Sequence, residues 1–141
     1  MQGVTFNNKH SYWDWGLCMN KPPVVSPPKP KTKLIDIPGT DGMLDLSKSL
    51  TGEMHYERRE ITCSFMLLCD RERWPLVYSE VLNHIHGQTV EIILDNDPEY
   101  CYRGLAEITT WNPDQFAAEM VIKASVEPYK ISRFDSGKKV L

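Results

Sequence analysis

The chain has 141 residues, 41% hydrophobic and 25% charged, with 16 lysines and arginines against 19 aspartates and glutamates for a formal net charge of −3. That length fits one domain able to bury roughly two thirds of its unfolded surface, and its interspersed charges exclude the basic footprint that gripping a phosphate backbone requires. No apolar run approaches a bilayer span and the first residues lack a basic-then-apolar signal layout, so the chain reads as soluble, cytoplasmically made, and without a membrane or specific nucleic acid as partner.

Val4–Asn7 reads as a first short strand and Tyr12–Met19 as a second, rich in the aromatic residues that suit a half-buried pleated surface. A regular strand there puts Trp13 and Trp15 on one face, as core or interface packing or, in a sharper reading, as a sugar-stacking pair. Lys21–Lys31 (KPPVVSPPKPK) holds five prolines, which remove backbone donors and favour extended geometry. It reads as a stiff connector or exposed edge kept from pairing, ahead of a ligand for an aromatic-grooved domain.

The stretch that follows sets the problem for the rest. Leu34, Ile35 and Ile37 make a short β-like run, Pro38-Gly39 and Asp41-Gly42 make turns, and Met43, Leu44, Asp45 and Leu46 alternate before a break at Thr51-Gly52. Such a thin segment between glycine turns is an extended arm, over about 37–55, that cannot bury itself. Something else must cover Leu44 and Leu46.

Glu60–Leu68 alternates Ile61, Cys63, Phe65 and Leu67 against Thr62, Ser64, Met66 and Leu68, a strand whose second face turns apolar at its end. Trp74, Val77, Tyr78, Val81, Leu82 and Ile85 then follow the spacing of an amphipathic helix over about 71–86. Asp70 is its expected cap, Pro75 fits the first turn, and Gly87 closes it. Thr89–Leu94 and Tyr100–Trp111 read as a hairpin around the Asp95-Asn96-Asp97-Pro98 turn. After Asn112-Pro113-Asp114, the residues Phe116, Ala118, Met120, Ile122, Ala124 and Val126 hold inward positions at period two. Beyond Tyr129 the chain turns polar and basic, so 131–141 reads as a loosely ordered tail. The predicted core is Phe65, Trp74, Val77, Tyr78, Val81, Leu82, Ile85, Ile92, Met120 and Ile122. The predicted fold is α+β, mostly β: an antiparallel sheet or two-layer β-sandwich with one packed helix.

Chemistry-bearing patterns are few. Cys18, Cys63, Cys69 and Cys101 contain no C-x-x-C pair, and Cys63 and Cys101 fall inside strand patterns as buried free thiols. His84 and His86 stand two apart, which turns them in different directions on a helix, so they read as caps for its last carbonyls rather than metal ligands. Asp95-Asn96-Asp97 starts like a calcium loop but lacks the later glycine and glutamate, leaving a turn with exposed carboxylates. Asp41, Asp45 and Glu53 have too little apolar cover to become an acid–base pair, and no nucleophile elbow or phosphate loop occurs. No catalytic residue, metal or cofactor is therefore expected.

The wording of the organising stretch, IPGTDGMLDLSKSLTGEMHYERREITCSF, is similar to the N-terminal domain of phage distal tail (Dit) proteins, with an IPG-x-DG-x-LDL run followed by LTG, a tyrosine and an arginine. The similarity continues through DRERWPLVYSEVLNHIHG and EIILDNDPEYCYRG to EPYK, so 1–130 resembles a ring-forming domain of that family. That resemblance implies a virion structural protein of a phage or prophage tail tip: a hexameric ring between the tail tube protein and the tail-associated hub protein, with a lumen for the tape measure protein and genome. The arm's uncovered leucines put the expected subunit interface on Ile37, Pro38, Gly39, Asp41, Gly42, Leu44, Leu46 and Leu50, joined by Arg59, which the family pattern keeps, as a fork toward a partner carboxylate. Longer members carry a second domain that binds carbohydrate or holds receptor-binding arms. This chain stops at Leu141, so direct sugar recognition is not expected. A monomeric carbohydrate- or protein-binding β-sandwich with Trp13 and Trp15 as its platform is the alternative.

Overall fold

Strand β10 (Ala118–Val126) alternates buried and exposed residues along its whole length, and the fold is assembled around it. On one side it pairs antiparallel with β7 (Arg59–Leu67), Ile122 opposite Cys63; on the other it pairs with β9 (Tyr100–Pro113), Ile122 opposite Ile108. Alternation at period two puts Ala118, Met120, Ile122, Ala124 and Val126 on one face with Ile61, Cys63, Phe65 and Leu67, and all nine are buried. The computed structural model describes residues 2–31, 34–36, 43–45 and 55–141.

The sheet extends from this centre through β8 (Gln88–Leu94), β1 (Val4–Phe6) and β2 (Lys9–His10) at one end, and through β3 (Leu17–Met19) and the two-residue β4 (Val24–Val25) on β7 at the other. It curls, because its two ends are tied together by one residue. Ser11, fully buried, donates its amide to Val4 O at 2.9 Å, accepts the Val4 amide on Oγ at 3.0 Å, and offers its carbonyl to the Leu17 amide at 2.9 Å. Helix α1 (Trp74–Ile85), preceded by a 3-10 turn at Arg71–Arg73, packs on β8 and β9 and brings Trp74, Val77, Val81 and Ile85 into the core with Phe6, Trp15, Val90 and Ile92. The fold is mostly β with one helix.

Several expectations are corrected by the geometry. Tyr12–Met19 is not one strand: Tyr12–Trp15 is a turn, closed by Asp14 N to His10 O and Gly16 N to Tyr12 O, and only Leu17–Met19 is extended. Trp15 is 6% exposed in the core while Trp13 is 71% exposed, so the two do not share a face. Phe116, expected inward, is 87% exposed because the chain turns at Asp114–Ala117 and the inward stripe starts only at Ala118. Asp70 makes no side-chain cap; its backbone carbonyl instead accepts the Arg73 amide at 2.9 Å. Tyr78 and Leu82 flank the buried stripe of the helix and are half-buried. Gly87, at φ +70°, ends the helix in the left-handed conformation.

The proline-rich segment and the tail are both paired. Val24 and Val25 stand opposite Thr62 and Ile61, and Pro30 forms a bridge with Tyr56, since the prolines fall where no amide is needed by the ladder. Beyond β10 the chain rejoins β9: β11 (Lys130–Ser132) sets Ile131 opposite Cys101, and β12 (Lys139–Val140) folds back on β11. Long-range contacts hold it there, namely Lys130 Nζ to Asp97 Oδ2 at 2.6 Å and over the Tyr100 ring at 4.7 Å, and Arg133 Nη1 to Pro98 O at 2.6 Å.

Gly104 sits in the middle strand of three, opposite Val90 and Val126. A Cβ there would collide with the Ser125 carbonyl oxygen and Val126 Cα, both backbone, so the crowding has no flexible side chain to absorb it. Gly104→Ala is expected to lower stability by about 1–3 kcal/mol, read as a fall in the urea midpoint. An unchanged midpoint would show that β9 and β10 separate freely at this point.

Candidate assembly surface

The chain leaves the main sheet after Pro30 and returns before Tyr56. Its point of departure is closed by Lys31 N to His55 O and Glu57 N to Lys29 O, each 2.7 Å, on either side of the Pro30–Tyr56 bridge. Between them, β5 (Leu34–Asp36) and β6 (Met43–Asp45) pair antiparallel, Leu34 opposite Asp45, Ile35 opposite Leu44 and Asp36 opposite Met43. They form a two-stranded sheet separate from the ten-stranded one. Leu44 thus has a strand position. Ile37, Pro38, Gly39, Asp41, Gly42, Leu46 and Leu50, together with Glu53, lie outside the described residues.

Arg59, expected to reach outward to a partner carboxylate, makes two hydrogen bonds within the chain. Its Nε donates to Ser26 O at 3.0 Å, its Nη1 to Pro128 O at 3.2 Å, and its guanidinium carbon stands 5.6 Å from the Tyr102 ring centroid. Its neighbour Arg58 bonds Ser125 through Nε to Oγ at 3.1 Å and Nη2 to the carbonyl at 2.7 Å. Tyr56 meets Tyr129 edge-on at 6.2 Å, so the hairpin leaves the sheet beside an aromatic pair. The spacing of ERRE marks a strand start but gives no hint of Ser26, Tyr102 or Pro128, which are remote in sequence.

The opposite end of the sheet collects exposed apolar side chains. Leu67 stands opposite both Leu17 and Ala118, which brings the Tyr12–Gly16 turn, the Asp114–Ala117 turn and the start of the helix together. Trp13, Leu76 (56% exposed) and Phe116 belong to these segments, and Leu68 (65%) directly follows β7. A groove between helix and β9 is lined by Trp74, Pro75, Tyr78, Trp111 and Pro113, with the Arg71 guanidinium 5.4 Å over Trp74 and the Tyr78 and Trp111 rings 4.4 Å apart.

Of the polar groups weighed for chemistry, His84, His86, Asp95 and Asp97 are bonded to other parts of the fold. His84 Nε2 lies 2.9 Å from Phe6 O, and His86 Nδ1 accepts the Ile108 amide at 3.0 Å, so neither caps the carbonyls of its own helix. Asp95 Oδ2 accepts the Gly3 amide and faces His10 Nε2, both at 2.9 Å, while Asp97 pairs with Lys130. His10 Nδ1 in turn accepts the Tyr12 and Trp13 amides at 3.1 and 3.2 Å, which fixes its proton on Nε2. Among the described residues no three histidines, cysteines or carboxylates cluster as metal ligands. All four cysteines are free thiols. Burial pushes the Cys63 thiol up to about 12 from an ordinary value of 9.0, so it remains protonated and inert at neutral pH. Cys101, half-buried rather than enclosed, is also raised, first by burial and then by the Glu91 charge.

No protein-family model matches the chain and no curated protein matches it. Among solved structures, the fold is similar to the crystal structure of the Dit protein of phage SPP1, described as a paradigm of the hub adsorption apparatus in phages infecting Gram-positive hosts. The TM-score is 0.73 at 15% sequence identity. The match covers 94% of this chain and 52% of that one, so the chain spans about half the length of the solved protein it resembles.

The two tryptophans, so alike in sequence, differ in what they hold. Trp15 stacks on Phe6 at 6.2 Å and meets His84 edge-on at 5.5 Å, whereas Trp13 lies in the turn against Tyr12. Trp15→Ala is expected to cost about 3–5 kcal/mol in chemical denaturation and Trp13→Ala under about 0.5 kcal/mol. Equal costs would contradict this placement.

Proposed function

We propose that the chain is a structural component of a phage or prophage tail tip, acting by assembly rather than by catalysis. The observation that carries the reading is the likeness of nearly the whole chain to a distal tail protein, found on a chain whose hairpin forms a sheet of its own. A two-stranded hairpin is at best marginally stable in water unless another surface covers it. Identical copies supply that surface most economically when each passes its hairpin to the next, a heterologous contact that closes into a ring. In this reading Ile37–Leu50 lies over a neighbouring subunit and six copies make the ring. One face meets the tail tube protein, the other the tail-associated hub protein, and the lumen passes the tape measure protein and then the genome.

The residues support mechanical work more than recognition of a sugar. The platform on which the monomeric carbohydrate-binding alternative depends is divided, with Trp15 in the core and only Trp13 at the surface. The titratable groups singled out by sequence at Asp95, Asp97, His84 and His86 are bonded to other parts of the fold.

Leu44→Asp and Leu46→Asp, made together, are expected to abolish oligomers in light scattering while leaving the thermal unfolding of the single chain within a few degrees of wild type. A collapse of the single chain's unfolding transition would place those leucines in its own core and remove the ground for the ring.

A further inference from the structure

We propose that His10 is a pH-sensitive latch: a proton added to its Nδ1 opens the Tyr12–Trp15 turn and frees Trp13 while the sheet stays closed. The inference does not depend on the assembly reading. His10 and the turn cap each other. The ring Nδ1 accepts the amides of Tyr12 and Trp13 at 3.1 and 3.2 Å, the Asp14 carboxylate accepts the His10 amide at 2.7 Å, and Asp14 N donates to His10 O at 3.0 Å. This is the reciprocal arrangement of a helix N-terminus, with an imidazole nitrogen where a serine or threonine oxygen is usual. A hydroxyl oxygen accepts at any pH. An imidazole nitrogen accepts only while the ring is neutral, and histidine is the side chain that ordinarily changes charge between about pH 5 and 8.

The ring has one place for a second proton. Nε2 already carries a hydrogen, directed at Asp95 Oδ2 at 2.9 Å, so a proton from solvent must add to the Nδ1 lone pair, at which two N–H groups point. Little room is left for the ring to turn aside: its side chain is 14% exposed, and a Cβ built on Gly3 would stand 2.6 Å from its Cε1. The charged groups that face it are Asp95, from the turn after β8, and Asp14, from the turn it caps. Gly3 and β1 bring no charge, and Lys9 lines a separate hollow with Glu80, Asn83 and His84. The Asp95 carboxylate can hold a charged ring as well as a neutral one, whereas Nδ1 loses both donors once it carries a hydrogen. Ser11 keeps its bonds to Val4 and Leu17, which do not involve the ring, so the opening stops at the turn. The Trp13 indole, 6.4 Å from the imidazole and 4.7 Å from the Tyr12 ring, is the group set free.

Solvent exchange of single amides, read by NMR and divided by the rate of an unstructured chain at the same pH, tests this. Between about pH 8 and about pH 5 the protection of the Tyr12 and Trp13 amides is expected to fall about tenfold, with Ile92 and Met120 unchanged. In His10→Asn, whose side-chain oxygen can take the place of Nδ1 without binding a proton, protection at Tyr12 and Trp13 is expected to stay level over the same range. Level protection in the wild-type chain, an equal fall in His10→Asn, or a fall shared by Ile92 and Met120 would overturn the latch. If His10→Asn does not fold, the wild-type ring decides: the nitrogen-15 shift of Nδ1 must change over the same pH interval as the two amides, and a change at a different pH would overturn it.

Discussion

Ser11 ties the two ends of a curled sheet to each other, and the architecture follows from that closure. Its amide, carbonyl and hydroxyl take partners on β1 and at the start of β3, so the inward stripes of β7, β8, β9 and β10 face one enclosed space. The helix fills the remaining opening with Trp74, Val77, Val81 and Ile85. Among the described residues every buried side-chain nitrogen or oxygen has a partner, as a closed interior of this kind demands. A core finished in this way has Lys31 and His55 at its margin, the two points between which the hairpin is carried.

The margin is also where charge is used with most economy. Arg58 and Arg59 donate to backbone carbonyls and to one serine, while Lys130 and Arg133 fasten the returning C-terminal strands to Asp97 and Pro98. The three arginines satisfy backbone carbonyl oxygens and Lys130 a carboxylate. The opposite end is apolar by contrast, with Phe116 and Trp13 exposed on turns and an aromatic groove beside the helix.

Sequence periodicity was legible wherever one face of an element meets the core. The stripe from Ala118 to Val126 and the helix stripe from Trp74 to Ile85 each repeat at their own period, and both are buried. It failed where a turn interrupts the repeat. Trp13 and Trp15 alternate in the text of the sequence, but the chain doubles back at Tyr12–Trp15, where backbone bonds and the His10 ring hold the turn. Phe116 fits the inward spacing by one step too many, because the residues before Ala118 belong to a turn. The prolines of Lys21–Lys31 suggested an unpaired loop, yet Val24 and Val25 carry the pairing between them. The roles of Ser11, Arg59, Asp95 and Lys130 depend on partners far away along the chain, and local pattern does not hold that information. Of the predicted interface residues, Leu44 takes a strand position in β6 and Arg59 bonds Ser26 and Pro128.

Whether copies of the chain complete one another is decided most directly by sedimentation velocity of the wild-type protein over a wide concentration range. A hairpin that needs a neighbour's surface predicts growth of a discrete species at six times the 16.3 kDa chain mass as concentration rises. A single species at the mass of one chain, at the highest concentration the protein tolerates, would contradict it.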